Sequence, residues 1–310
     1  LDTRTRYIII VIFSALIVAF QSVAVEGALN TVELSIFLVA ALPTLLGGLI
    51  LIGIVSGPTT HLAKGLRLRG WVYMILLCLL IALGVFLWFD SIGRIGAGKE
   101  ALIGGGSSEV LFVVILSAFF LGERLSRWEF LGIALILAGV IIVLINTNSL
   151  SLTIGIGEVE AIVSSFLLAM GVIMVTKLLR IHALTPLSAL ELFISGMIIM
   201  ILGIAFNLIS WPSLFGWLVL VGLAFFPMAG LLTYNAGLPK IGASITSVLF
   251  ALCGIFTICA QLIVLLFIPD AELILPQNVY LAVFGGLVAF VGVYMLKLNP
   301  SAKAATRGTE

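Results

Sequence analysis

The 310-residue chain is 62% apolar and 9% charged, with a formal net charge of +1. A soluble domain lies nearer half apolar and a quarter charged, so a water-facing surface for the whole chain is excluded and lipid is its solvent. Ten spans of roughly 20 residues would use roughly 200 residues and leave short loops and tails, with no soluble domain.

Taken in chain order, unbroken apolar runs predict spanning helices near 7–26, 34–56, 71–90, 97–121, 127–147, 157–178, 185–208, 215–237, 241–268 and 276–297. These are not the alternating segments of about ten residues that build a barrel, and a helix satisfies its own backbone in hydrocarbon. The first run, one of ten, reads as a span and not as a cleaved signal. Cys78, Cys253 and Cys259 lie inside apolar runs, which reads as small core residues and not as disulfides or a metal site. With the N-terminus inside, thirteen of the 15 Lys and Arg residues fall in inside segments, among them Lys64, Arg67, Arg69, Lys177, Lys240, Lys303 and Arg307; Arg94 and Lys99 fall outside. The positive-inside rule then predicts a multi-pass cell-membrane protein with both termini cytoplasmic.

Two pairs of segments match across the chain. Arg94-Ile95-Gly96-Ala97-Gly98 resembles Lys240-Ile241-Gly242-Ala243-Ser244, and Gly132 with Gly139-Val140 matches Gly285 with Gly292-Val293. Each half therefore reads as five helices, joined through the polar stretch 148–156. Five is odd, so the second copy enters the membrane from the opposite side. The loops agree: Arg124 and Arg127 sit in one, whereas the equivalent Pro269-Asp270-Ala271-Glu272 is acidic. The expected fold is all-α integral membrane, ten transmembrane helices as two inverted five-helix repeats. Such an arrangement suits a carrier whose halves rock about a central site, although a duplicated bundle with no transport role has the same signature.

Gly122-Glu123-Arg124-Leu125-Ser126, followed by Leu131-Gly132 and the run to Gly139-Val140, resembles the repeat signature of the EamA-type drug/metabolite transporters. The segments 94–98 and 240–244 resemble the turn before the fourth helix of that family's repeat. The resemblance implies a first repeat over 1–147, an inter-repeat loop at 148–156, a second inverted repeat over 157–298 and a tail at 299–310. It also implies a carrier, mostly an exporter, of small metabolites or drugs through a central cavity. Where the family has a Glu-Pro pair in its fourth helix this chain has Glu109-Val110, with Cys253-Gly254 in the second half. The family's Trp-Gly of the first helix is Phe20-Gln21.

Buried polar residues mark where such a site would lie. A charge at the bilayer centre costs at least about 2.5–3.5 kcal/mol, and Glu109 stands about 12 residues, or roughly 18 Å, into its helix. Glu109 reads as a proton or cation carrier, or else as a protonated carboxyl bonded to a neighbouring helix. The preceding Gly104-Gly105-Gly106-Ser107-Ser108 lowers helicity at roughly 1 kcal/mol per glycine. It forms either an irregular turn lining a cavity, with Gly105 and Ser108 as site residues, or a close helix contact. Gln21, Gln261, Tyr234, Asn235 and Trp88 are further candidates for substrate contact, Trp88 equally fitting an interfacial aromatic belt. Glu160, a second candidate for proton coupling, and Glu191 sit near helix ends, where snorkelling to the surface is an equal reading. Arg94, Lys99 and Glu100 read as a solvated, salt-bridged turn or an outer vestibule. Pro227 should kink the eighth span and free a carbonyl. The small residues Gly132, Gly139, Gly285 and Gly292 read as helix contacts.

His61 and His182 fall in loops and no nucleophile–base pair or metal cluster stands at membrane depth, so an enzyme is not expected and no cofactor is implied. The function read from the sequence is a secondary transporter working by alternating access, with proton coupling through Glu109 as an option; a passive facilitator or regulatory membrane subunit is the alternative. No base lies in mid-span, which disfavours polyanionic substrates. The expected partners are a small amino acid, neutral metabolite or lipophilic compound and the lipid bilayer. Nucleic acid is not expected, and a homodimer is left open.

Overall fold

The computed structural model describes residues 3–122, 127–146, 151–152, 154–276 and 278–297. Glu123, Arg124, Leu125 and Ser126 of the signature turn, part of the join at 148–156, and the tail at 299–310 lie outside the described residues. In chain order the helices are α1 (Thr3–Asn30), α2 (Ile36–Ile54), the short α3 (Ser56–Gly65), α4 (Leu68–Ile95), α5 (Ala97–Phe120), α6 (Arg127–Leu144), α7 (Ile156–Leu178), α8 (Leu184–Ala205), α9 (Leu214–Ile241), α10 (Ala243–Phe267) and α11 (Val279–Lys297). Two residues before the join, β1 (Ile145–Asn146), and two within it, β2 (Ser151–Leu152), pair antiparallel. Eight helices are long and apolar enough to cross a membrane, while α6 and α11 carry shorter apolar stretches, Ala134–Val143 and Val279–Gly292. The described chain is thus helical and of multi-pass membrane type. α3 occupies what the sequence reads as a loop, and α1 runs four residues past its expected end, which puts Glu26 one turn inside the helix.

Three helices are interrupted, each for a local reason. α5 opens into a π-helical turn at Gly104–Ser108, where three glycines have little helix propensity to lose. Ser107 Oγ donates to the Leu102 carbonyl, five residues back, at 2.6 Å. α9 breaks at Ala224, three residues before Pro227, which has no N–H to offer the Leu223 carbonyl. α10 breaks at Ala251. The interruptions of α5 and α10 face each other: a Cβ on Gly106 would lie 3.3 Å from the Ala251 carbonyl oxygen and 3.5 Å from Gly254 Cα.

The main packing partners are α6 with α11, α2 with α8, α4 with α7, and α1 with both α9 and α10. In lipid there is little hydrophobic drive between helices, so contact depends on backbones coming close. At the α6–α11 seam a Cβ on Gly139 would stand 2.5 Å from the Gly285 carbonyl oxygen, and one on Gly292 2.5 Å from that of Gly132. Between α2 and α8, a Cβ on Gly48 would lie 2.7 Å from Phe193 Cα and one on Gly196 2.8 Å from Leu45 Cα.

The turns into α5 and α10 share one backbone form, Gly96 with φ 82 and ψ 150 and Gly242 with φ 87 and ψ 159. Both lie in a region that only glycine occupies comfortably. Their surroundings differ. A Cβ on Gly96 would overlap the Ile274 carbonyl, whereas one on Gly242 meets nothing within 4 Å. Gly242→Ala should therefore cost about 1–3 kcal/mol of backbone strain, and Gly96→Ala distinctly more. Thermal unfolding of the two variants in detergent checks this ordering; equal losses would remove the close approach of the Ile274 segment.

Candidate functional site

A cavity of about 160 Å³ lies within the bundle, bounded by segments of α1, α2, α4, α5, α7, α8, α9 and α10. An apolar cavity of roughly 150 Å³ accommodates benzene, so the space suits one small organic solute. Its position follows from the interruptions: the π-helical turn of α5, the Ala251 break of α10 and Pro227 of α9 all border it.

Six of the nine sequence-predicted residues stand on its wall. They are Gln21 of α1, Trp88 of α4, Gly105 and Glu109 of α5, and Tyr234 and Asn235 of α9. The glycine run serves both of its readings, since Gly105 faces the cavity while Gly106 packs against the α10 break. Three residues fall elsewhere. Ser108 is buried in the turn but off the cavity wall. Gln261 is fully buried against Glu26. Glu160 pairs with Arg94 at 3.1 Å and is not among the residues that line the cavity.

The sequence reading placed Glu100 in a turn or vestibule, left Glu191 between the surface and the site, and passed over Glu26. Glu100 lies on the cavity wall and accepts from Trp88 Nε1 at 2.8 Å, so it belongs neither to a solvated turn nor to a vestibule. Its 2% exposure corrects that expectation. Glu100 follows Gly96 by one turn and shares a helix face with Gly104, and that spacing could have marked it as inward-facing. Glu191 also lines the cavity, at 1% exposure, and does not snorkel. Its Oε2 accepts from Asn235 Nδ2 at 3.3 Å, and the same amide donates to Ser188 Oγ at 3.1 Å. The remaining turn charges form ion pairs as expected: Arg94 with Asp90 at 2.9 Å, and Lys99 with Glu158. Glu158 also folds back to accept from Gly155 N at 2.9 Å, capping α7.

The wall divides into satisfied and unsatisfied polar groups. Tyr234 OH pairs with Ser247 Oγ at 3.0 Å, Thr44 Oγ1 donates to the Ala40 carbonyl and Ser165 Oγ to that of Ala161. Gln21 and Glu109 differ. Among the described residues neither has a hydrogen-bond partner, although they are only 5% and 7% exposed. Both line the cavity. No Lys, Arg or His is among its lining residues.

Beside the cavity, Glu26 of α1 joins four segments. Its carboxylate accepts from Ile274 N at 2.5 Å, Gln261 Nε2 at 2.6 Å and Ala97 N at 3.2 Å. Gln261 Nε2 also reaches the Ile274 carbonyl at 3.4 Å. The signal for this acid was available, because apolar residues continue from Gly27 to Leu29 after Glu26 and so keep it inside the span. Replacing it with alanine takes the acceptor from the Ala97 and Ile274 amides and leaves Gln261 Nε2 only its longer bond to the Ile274 carbonyl, at about 1–3 kcal/mol per unpaired buried group. Glu26→Ala should lower the melting temperature in detergent and speed hydrogen exchange at the Ile274 amide; unchanged exchange there would count against the junction.

Residues 5–145 match the sequence model of the EamA-like transporter family, consistent with the drug/metabolite transporter superfamily that the signature turn resembles. The match points to a membrane transporter of small molecules. No curated protein matches the chain. A protein of known crystal structure is similar over 95% of this chain and 100% of its own, at 21% identity and a TM-score of 0.63, a likeness of fold.

Proposed function

From a chain whose first half carries the EamA-like repeat, we propose a secondary transporter that exports small organic solutes across the cell membrane by alternating access, coupled to protons through Glu109. The observation that carries this reading is Glu109 itself: a carboxyl inside the bundle, unpartnered among the described residues, on the wall of a solute-sized cavity. An unpaired buried polar group is costly, and what distinguishes Glu109 from unpartnered groups such as Ser91 Oγ is that it lines the cavity. A carboxyl that must take up and release a proton, or meet a solute, needs an open side.

Alternating access rests on ten spans forming two inverted repeats, 1–147 and 157–298, joined at 148–156 and followed by the tail 299–310. The packing supports such a relation. If α1, α2, α4, α5 and α6 correspond to α7, α8, α9, α10 and α11, then α1 with α9 becomes α7 with α4, and α1 with α10 becomes α7 with α5. α2 with α8 and α6 with α11 map onto themselves. Individual contacts follow. Ser14 Oγ donates to the Gly230 carbonyl, and Ser164 Oγ donates to that of Gly84, both at 2.8 Å. The spacing from Gly84 to Gly96 equals that from Gly230 to Gly242. Gly48 against Phe193 likewise becomes Gly196 against Leu45. Placement of thirteen of the 15 bases on one side supports cytoplasmic termini.

The test begins with a thermal-shift screen of the purified chain against a metabolite library, followed by flux of the hits in proteoliposomes. Glu109→Gln should abolish flux driven by a pH gradient while elution profile and melting temperature stay near those of the parent. Undiminished pH-driven flux in this variant would remove Glu109 from coupling, and hits that bind but never cross would remove transport.

A further inference from the structure

We infer that the cavity is built for a small organic cation, a protonated or quaternary amine carried on a body about the size of one benzene ring; this rests on the cavity being the transport site. The inference starts from its charged groups. Glu100, Glu109 and Glu191 all open onto the one space, from two helices, and none of the lining residues is a Lys, Arg or His. An acidic cluster alone could be internally balanced, but this one is not balanced evenly. Glu100 is occupied by Trp88 and Glu191 by Asn235. Glu109, more than nine-tenths buried, has no partner among the described residues and lines the cavity.

Consider what each class of solute would meet. An anion would enter a low-dielectric space lined by three acids, with no cation to offset its desolvation. A neutral solute would find apolar walls, Gln21 and the hydroxyls, and would leave Glu109 unpaired. A cation pairs with Glu109 and is drawn by the remaining two acids. The rings strengthen the case. Tyr234 and Phe250 stand edge to face, with centroids 5.0 Å apart at 78°, and both line the cavity, as does Trp88. Aromatic faces attract organic cations more strongly when water is excluded. Gln21, the other unpartnered group, presents an amide able to donate or accept, which suits a second polar position on the solute.

The class differs from the amino acids and neutral metabolites that the sequence suggests. The reason is that two of the three cavity acids, Glu100 and Glu191, come into view only once the helices are packed.

The test uses the full-length purified chain in detergent and three ligands of one size: benzylammonium, benzyl alcohol and benzoate, titrated calorimetrically at neutral pH. Benzylammonium should bind at least about tenfold more tightly than benzyl alcohol, with benzoate weakest. Glu109→Gln should reduce that preference by about tenfold while the affinity for benzyl alcohol changes little. Glu191→Gln, which keeps a polar partner for Asn235, should reduce it too and guards against misfolding of the first variant. Benzyl alcohol matching benzylammonium, benzoate binding best, or an intact preference in both variants would each overturn the inference. Failure of the transport reading looks different: benzylammonium would bind with the stated preference yet show no flux in proteoliposomes.

Discussion

In hydrocarbon a polar group has no water to fall back on, so each one must find its partner inside the chain. Most of this molecule's polar detail follows from that constraint. Thr44, Thr176, Ser165 and Thr257 return their hydroxyl protons to carbonyls one turn back in their own helices. Ser14, Ser164 and Ser195 instead donate across to neighbouring helices, where they act as fasteners between α1 and α9, α7 and α4, and α8 and α4. Glu26 gathers three donors from three segments. Against this background some buried groups stay without a hydrogen-bond partner among the described residues: Asn30 Nδ2, Ser91 Oγ and Gln261 Oε1 away from the cavity, and the side chains of Gln21 and Glu109 on its wall. What sets Gln21 and Glu109 apart is that they line a space of solute size.

Close backbone approach is the second half of the same economy. A helix pair in lipid gains mainly dispersion contact, which rises steeply as the backbones near each other. Glycines and β-carbons therefore set where helices can meet: Gly139 with Gly285, Gly48 with Phe193, and Gly196 with Leu45. Where glycines are clustered in one helix, as at Gly104–Gly106, the helix itself yields and opens into a wider turn. The opposing helix breaks at Ala251. Two facing irregularities leave a space between helices that regular rods would close, and that is how a tightly packed bundle comes to hold a cavity.

Much of this could be read before any coordinates. Long apolar runs predicted the helices because spanning length is a physical requirement, and the observed helices fall on those runs with ends moved by a few residues. Glu109 and its glycines were legible because each violates a strong local preference. Glu100 and Glu191 were not. Each sits within two turns of a helix end, where sequence offers a snorkelling path to water, and only the neighbours, Trp88 in one case and Asn235 in the other, turn them inward. Gln261 fails in the opposite direction. Its depth in α10 is as expected, but depth does not say which face it occupies, and its face meets Glu26 and not the cavity. Burial along a span is thus a one-dimensional quantity that sequence carries well, while facing depends on how helices rotate against each other.

The proposed repeats match in backbone and differ in chemistry, and that difference bears on how such a molecule could move. Gly96 and Gly242 turn the chain in the same way, yet only Gly96 is covered, by the segment that carries Ile274. The cover is fastened by Glu26, an acid fully withdrawn from solvent and bonded to both the turn and the covering segment. Near the Gly242 turn Ser117 and Ser244 form a hydroxyl pair at 3.1 Å, and among the described residues a Cβ on Gly242 would meet nothing within 4 Å. Parting Glu26 from Ile274 and Ala97 takes the acceptor from two backbone amides, while Gln261 stays bonded to the carboxylate. Separating the Gly96 turn from its cover therefore carries a polar cost of its own. If the chain works by alternating access, a solute in the cavity, or a proton on one of its acids, has to offset that cost before the Gly96 end can open.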